Sequence, residues 1–217
     1  MSQGHFLRHH WRRLLAALCV SPLLVVLSIN LLILRPPLPP EPSEAPTIAY
    51  FAYGSNMNER YLTRVRGVAR VSSEAGVLRG YTVSFDLDGI RGVEPAFANL
   101  ALSPGSVAHG VVHRLTADEF DKIVGSEGTN YAVQDVEVQL PSGSAVIAKT
   151  LISAPSLAAP QLPSRRYLGY LQEAAITYQF PEQVIETYNP DHGAYIPVLS
   201  EITGAGIHTV VWLTARL

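Results

Sequence analysis

The sequence predicts an α+β fold: a mixed, barrel-like β-sheet with a few flanking helices, preceded by one N-terminal transmembrane helix. Three observations carry this reading. Segments rich in β-branched and aromatic residues come first in the body and are joined by turns of hairpin length. Helix-start signals come late, at Thr116, Ser164 and Pro181. A 21-residue run without a charge stands near the N-terminus.

Composition supports the division. Of 217 residues, 47% are hydrophobic and only 16% charged, so part of the chain is expected outside water and disorder is excluded. The net charge of -2 gives no basic field for nucleic acid. One cysteine, Cys19, excludes an internal disulfide and a Cys-based zinc site.

The head is read as a basic cytoplasmic tail (1–13), a membrane anchor (14–34) and a Pro-rich linker (35–47), ahead of a domain over 48–217. Leu14 to Leu34 would span ~30 Å as a helix, the thickness of the hydrocarbon core. Arg8, Arg12 and Arg13 outweigh Arg35. That bias predicts a cytoplasmic N-terminus, a single pass and an extracytoplasmic body. The alternative is a cleaved signal peptide and a secreted or periplasmic body. The apolar run is longer than a signal core, and no small-x-small site follows it. Six prolines in 36–47 favour an extended polyproline II spacer.

In the body, Ile48 to Tyr53 reads as a strand broken by Gly54-Ser55-Asn56. Val68 to Val71 and Val77 to Phe85 read as further strands. Ala98 to Leu102 and Val107 to Leu115 read as two more, separated by a Ser-Pro-Gly-Ser turn. Thr116-Ala-Asp-Glu119 is a capping box for a helix over 117–124 that Gly125 ends. Tyr131 to Leu140 and Ala145 to Ile152 form a hairpin across Pro-Ser-Gly-Ser. Ser164 caps a helix over 165–176, and Pro181 opens a short one through Tyr188. Ile207 to Leu213 reads as a last strand.

Three segments are suited to chemistry. The first, Tyr50-Phe51-Ala52-Tyr53-Gly54-Ser55-Asn56-Met57, ends a strand in a turn whose backbone N–H groups can converge on a carboxylate or a developing oxyanion. The second holds Glu127 between Ser126 and Gly128, with Tyr131 four residues on. A carboxyl there, in partly apolar surroundings, could both take and give a proton. The third, Pro163-Ser-Arg-Arg-Tyr167, puts Tyr167 on the first turn of a helix, where a substrate carboxylate is favoured. Taken singly, each segment has an ordinary structural reading: a turn, a solvated loop, a packing tyrosine. His109 and His113 fall in a strand and need not share a metal. Asp191-His192 falls in a loop, and nothing in the spacing makes Ser55, His113 and Asp118 a triad.

Together the segments resemble the γ-glutamylcyclotransferase family (AIG2-like, with the butirosin-type cyclotransferase fold). The opening Tyr-Phe-Ala-Tyr-Gly-Ser-Asn-Met carries the resemblance. Leu78-Arg-Gly-Tyr-Thr-Val-Ser-Phe85, Ala98-Asn-Leu, Gly110-Val-Val, Glu127-Gly128 with Tyr131, and Pro163-Ser-Arg-Arg-Tyr167 follow in similar order. The likeness covers about residues 48–190. It implies a cofactor-free, metal-free lyase reaction on a small γ-glutamyl substrate. The substrate's own α-amine attacks its γ-carbonyl, releasing 5-oxoproline and an amino acid or amine. It also implies Glu127 as general base and acid, and Tyr50, Phe51, Ala52, Tyr53, Gly54, Ser55, Asn56 and Tyr167 as substrate-binding residues, with Tyr131 as a further pocket residue. The alternative is a non-catalytic module of the same fold that binds a small ligand or a partner.

Overall fold

The computed structural model describes residues 46–127, 131–197 and 199–214. The expected tail, anchor and most of the linker lie outside them, as do Cys19 and the Gly128-Thr129-Asn130 loop. Among the described residues no helix is long and apolar enough to cross a membrane.

Five strands close a barrel in the order β1-β3-β2-β4-β5. They are β1 (Ile48–Ala52), β2 (Ser72–Ile90), β3 (Glu94–Leu115), β4 (Tyr131–Gln139) and β5 (Ala145–Ser153). All neighbours are antiparallel except β1 and β5, which close the barrel in parallel at Tyr50 and Lys149. Closure removes exposed strand edges. The buried core includes Phe51, Met57, Val111, Val138 and Leu151.

The long β2–β3 hairpin differs from the expected pattern. Ser103-Pro104-Gly105-Ser106 does not end a strand; β3 runs through it. The register slips there, from Arg79 opposite Val107 to Tyr81 opposite Leu102. Gly80 and Gly105 take positive φ at the slip, so both strands bend together without parting. The strand expected from Val68 is also displaced. The backbone of Val68 donates to Leu62, and pairing with β3 starts only when Val71 donates to Arg114.

Among the described residues four α-helices flank the barrel: α1 (Ala117–Glu127), α2 (Arg165–Thr177), α3 (Glu182–Thr187) and α4 (Leu199–Thr214). Helix α1 does not stop at Gly125. One interior glycine costs only ~1 kcal/mol, and Ser126 and Glu127 are held from outside by Arg66. The Glu119 carboxylate does not close a capping box; it accepts from the backbone of Ala69 at 2.8 Å. Helix α2 behaves as expected. Ser164 Oγ accepts from the Tyr167 N–H at 3.0 Å, and Tyr167, Leu168, Leu171, Ala174 and Ala175 form its buried stripe.

The last expected strand is helix α4. Its β-branched residues suit a strand, but its inward positions recur at helical spacing. Gly204 packs on Arg166, and His208 accepts from Arg166 at 2.8 Å and from the Tyr170 hydroxyl at 2.6 Å. Val211 and Trp212 pack by Tyr61 and Val65. Tertiary packing overrides propensity here.

Two histidines are buried as neutral bases. His113 on β3 donates from Nε2 to the Asn56 carbonyl at 3.0 Å and accepts from Ser73 Oγ at 2.7 Å. Burial pushes its pKa down to about 4; the Asn56 bond opposes this, and the Arg70 charge adds to it. Burial, then the Arg166 charge, pushes His208 down to about 3. The unfolded chain takes up these protons near pH ~6.5, whereas the folded chain does not until much lower. Stability from neutral burial is therefore complete above pH ~6.5 and is lost as pH falls through that window. Urea denaturation at pH 4.5 should show at least ~2 kcal/mol less stability than at pH 6.5. An unchanged midpoint would contradict the buried imidazoles.

Candidate active site

The site begins where β1 runs out. After Tyr53 the chain enters a 3-10 turn, Ser55–Met57, in which Met57 and Asn58 donate to Gly54 and Ser55. The N–H groups of Ser55 and Asn56 precede these bonds and are the ones a ligand could use. His113 fixes the turn from below through the Asn56 carbonyl.

Beside the turn lies a cavity of about 580 Å³. Tyr50, Tyr53, Gly54, Ser55, Asn56, Glu127, Tyr131 and Tyr167 all line it, so segments far apart in sequence meet at one place. Phe51 and Ala52 do not line it. Both side chains are fully buried: Phe51 points to the face opposite Tyr50, against Gly76 and Gly110, while Ala52 shares the Tyr50 face but does not reach the cavity. Of the eight residues expected to bind substrate, these two are the ones that do not line the cavity.

Glu127 ends α1 with its side chain 18% exposed. Tyrosine rings of the cavity wall stand near it, and polar partners hold one of its oxygens. Arg66 Nη2 lies 2.5 Å from Oε1, and Asn56 Nδ2 donates to the same oxygen at 2.9 Å. Both bonds fall on Oε1; among the described residues Oε2 has no hydrogen-bond partner and can meet a ligand. Arg66 caps the π-helical turn Tyr61–Val65, is buried, donates to Ser126 Oγ at 2.7 Å and lies over the Tyr61 ring. Burial works against its charge, but Glu127 first, with Tyr61 and Tyr50, together outweigh it and its pKa rises. Arg66 was not among the residues expected from the sequence.

Asn56 is oriented by its partners. Its Nδ2 also donates to the Tyr50 hydroxyl at 3.1 Å. The opposite orientation would set an oxygen against the Glu127 carboxylate. The result is that Asn56 Oδ1 is buried with no hydrogen-bond partner among the described residues, an imbalance typical of functional sites. Burial first, and the Glu127 charge second, push the phenols of Tyr50 and Tyr131 up, so both stay neutral. The Tyr53 hydroxyl donates to the Leu151 carbonyl at 2.5 Å.

Tyr167, on the first turn of α2, accepts from the Ala98 N–H at 3.2 Å. Gly54 is required at this point for space rather than for an unusual φ. A Cβ on it would stand 2.9 Å from the Tyr167 hydroxyl.

The other tempting groups do not assemble. His113 meets Ser73, not Ser55, while His109 packs by Phe180. Asp191 pairs with Arg165, and His192 lies 3.9 Å from Glu186. Among the described residues no cluster of three or more His, Cys, Asp or Glu could hold a metal ion.

The close approach at Gly54 is testable. Gly54→Val should push the Tyr167 hydroxyl from the Ala98 N–H and destabilise the fold by ~1–3 kcal/mol. Urea denaturation reads this directly, and a wild-type midpoint would show that the approach is not tight.

Comparison with known proteins bears on the same residues. Residues 50–169, more than half of the chain, match a family model described as gamma-glutamyl cyclotransferase, AIG2-like. The chain is 30% identical over 150 residues to gamma-glutamyl cyclotransferase gliK of Aspergillus fumigatus, covering 57% of this chain and 55% of that protein. It is 24% identical over 180 residues to gamma-glutamyl cyclotransferase aclK of Aspergillus oryzae, covering 72% and 66%. The chain therefore spans between about half and two thirds of the length of these relatives. In fold it resembles a solved gamma-glutamyl cyclotransferase, with a TM-score of 0.54 and 19% identity over 72% of this chain and 97% of the other. YkqA from Bacillus subtilis gives 0.53 and 25%, over 65% and 52%. The matched span encloses Tyr50, Gly54, Asn56, Arg66, Glu127 and Tyr167 and stops before α4. On its barrel, its cavity and this match, the chain belongs to the γ-glutamyl cyclotransferase, AIG2-like family.

Proposed function

We propose that the chain catalyses γ-glutamyl cyclotransfer on a small γ-glutamyl amide, with Glu127 as the proton-transfer group. The observation that carries this reading is the position of Glu127. Its carboxylate lines the same cavity as the Ser55–Met57 turn, held by Arg66 and Asn56 through one oxygen only.

The chemistry suits so small a set of groups. The substrate α-ammonium gives one proton to Glu127 and becomes a nucleophile. Its nitrogen then attacks the γ-carbonyl carbon, forming the new C–N bond of a five-membered ring and an oxyanion. The N–H groups of Ser55 and Asn56 are suited to receive that oxyanion. As the intermediate collapses, the bond to the leaving nitrogen breaks and that nitrogen takes the proton Glu127 holds. The ring nitrogen loses its second proton, which the released amine takes up. The products are 5-oxoproline and an amine. Because attack is intramolecular, the protein's main task is to hold a bent conformer, which can contribute ~7–11 kcal/mol to the rate. The neutral phenols of Tyr50, Tyr131 and Tyr167 serve as walls and hydrogen-bonding groups rather than as bases.

Glu127→Gln keeps the shape and an oxygen for Asn56 and Arg66 but removes the base and the anion beside Arg66, so turnover is measured on the variant once shown to be folded. Release of 5-oxoproline from a γ-glutamyl amide should fall by ~10²–10⁴-fold, with 5-oxoproline binding changed much less. Wild-type turnover in this variant would place the non-catalytic binding module ahead.

A further inference from the structure

The cavity is larger than a γ-glutamyl group needs. Its volume of about 580 Å³ lies within the ~300–1,000 Å³ of sites that enclose drug-sized ligands. Its walls also change character. Arg66, Ser126, Glu127 and the 3-10 turn form the polar side. On another side Ile207 and Val211 of α4 line the cavity, together with Tyr61 and Tyr170. Tyr61 joins the two sides: Arg66 lies over its ring, and Tyr170 packs on it with centroids 5.1 Å apart. Helix α4 falls outside the family match at 50–169. It is nonetheless anchored to the matched part through His208, which accepts from Arg166 and Tyr170.

The charges along this wall are already matched. Arg166 lines the cavity but is ion-paired with Glu94, which is almost fully buried and also accepts from Ser164 Oγ. The exposed carboxylate of Asp88 lines the cavity as well. A leaving group bearing its own carboxylate would meet Asp88 and a guanidinium already neutralised. An apolar group would meet Ile207, Val211 and two aromatic rings.

We propose that α4 supplies a leaving-group subsite, with Ile207 and Val211 as specificity-determining residues. The preferred substrates are γ-glutamyl amides whose leaving amine carries an aromatic or branched aliphatic group and no carboxylate. This inference rests on the cyclotransferase reading and deepens it.

The test compares γ-glutamylbenzylamide with γ-glutamylmethylamide and γ-glutamylglycine, following 5-oxoproline release. Wild type should favour the benzylamide over both in kcat/KM by about tenfold or more, the scale that small differences of fit in an apolar pocket produce. Ile207→Asn and Val211→Asn should each cut the benzyl-to-methyl ratio by about tenfold, chiefly through KM. Val211→Phe, which fills the same space without adding polarity, should lower the ratio too and serves if the Asn variants do not fold. A merely structural role for α4 would lower turnover of all substrates together and leave the ratio unmoved. That result, or a wild-type preference for γ-glutamylglycine, overturns the subsite while leaving the reaction in place. If wild type turns over none of the three, calorimetric binding to Glu127→Gln separates the two ideas. Tighter binding of the benzylamide that Val211→Phe abolishes keeps the subsite and removes the reaction; equal binding of all three overturns the subsite.

Discussion

Arg66 is a buried guanidinium, and a buried charge is tolerated only with an anion beside it. Glu127 is that anion, and much of the site follows from their meeting. The pair holds the last residues of α1 in helix beyond Gly125 and draws the Asn56 amide onto the same carboxylate oxygen. Asn56 in turn contacts Tyr50, and its carbonyl is held by His113 from the neighbouring strand. Through one ion pair the end of β1, the π-helical turn and the C-terminus of α1 are fixed against each other. A carboxylate is thereby kept at a cavity wall with one oxygen occupied.

A second pair joins Arg166, another residue of the cavity wall, to the buried Glu94. It ties the start of α2 to the start of β3 and gives α4 its contact through His208. Two guanidinium groups that line the cavity, Arg66 and Arg166, are thus each paired with a carboxylate, and the remaining wall offers hydrogen-bonding groups and apolar groups. That arrangement suits a substrate with a charged head and an uncharged tail.

The site was legible wherever a local motif carried it. Tyr50, Tyr53, Gly54, Ser55 and Asn56 surround one strand-to-turn break, Tyr167 follows a helix cap, and Glu127 precedes a glycine; all line one cavity. Phe51 and Ala52 belong to the same motif, yet alternation turns Phe51 to the other face and only packing keeps Ala52 from the cavity. Arg66 had no local signature. It is one of four arginines between residues 60 and 70, and only burial opposite Glu127, 61 residues on, distinguishes it. The hairpin of β4 and β5 and the cap of α2 were readable because turn and cap chemistry are local. The state of residues 207–213 was not, because β-branched composition spoke for a strand while Arg166, Tyr170 and Tyr61 decided for a helix.

If, as we propose, Glu127 transfers the proton, Arg66 should act on turnover through it, and a double-mutant cycle measures that coupling. The rates of 5-oxoproline release would be measured for wild type, Arg66→Gln, Glu127→Gln and the double variant, each confirmed folded. Residues that act as one unit give strongly non-additive losses. The account predicts a double variant within about threefold of Glu127→Gln alone. Losses that multiply fully would show Arg66 and Glu127 working independently and would contradict it.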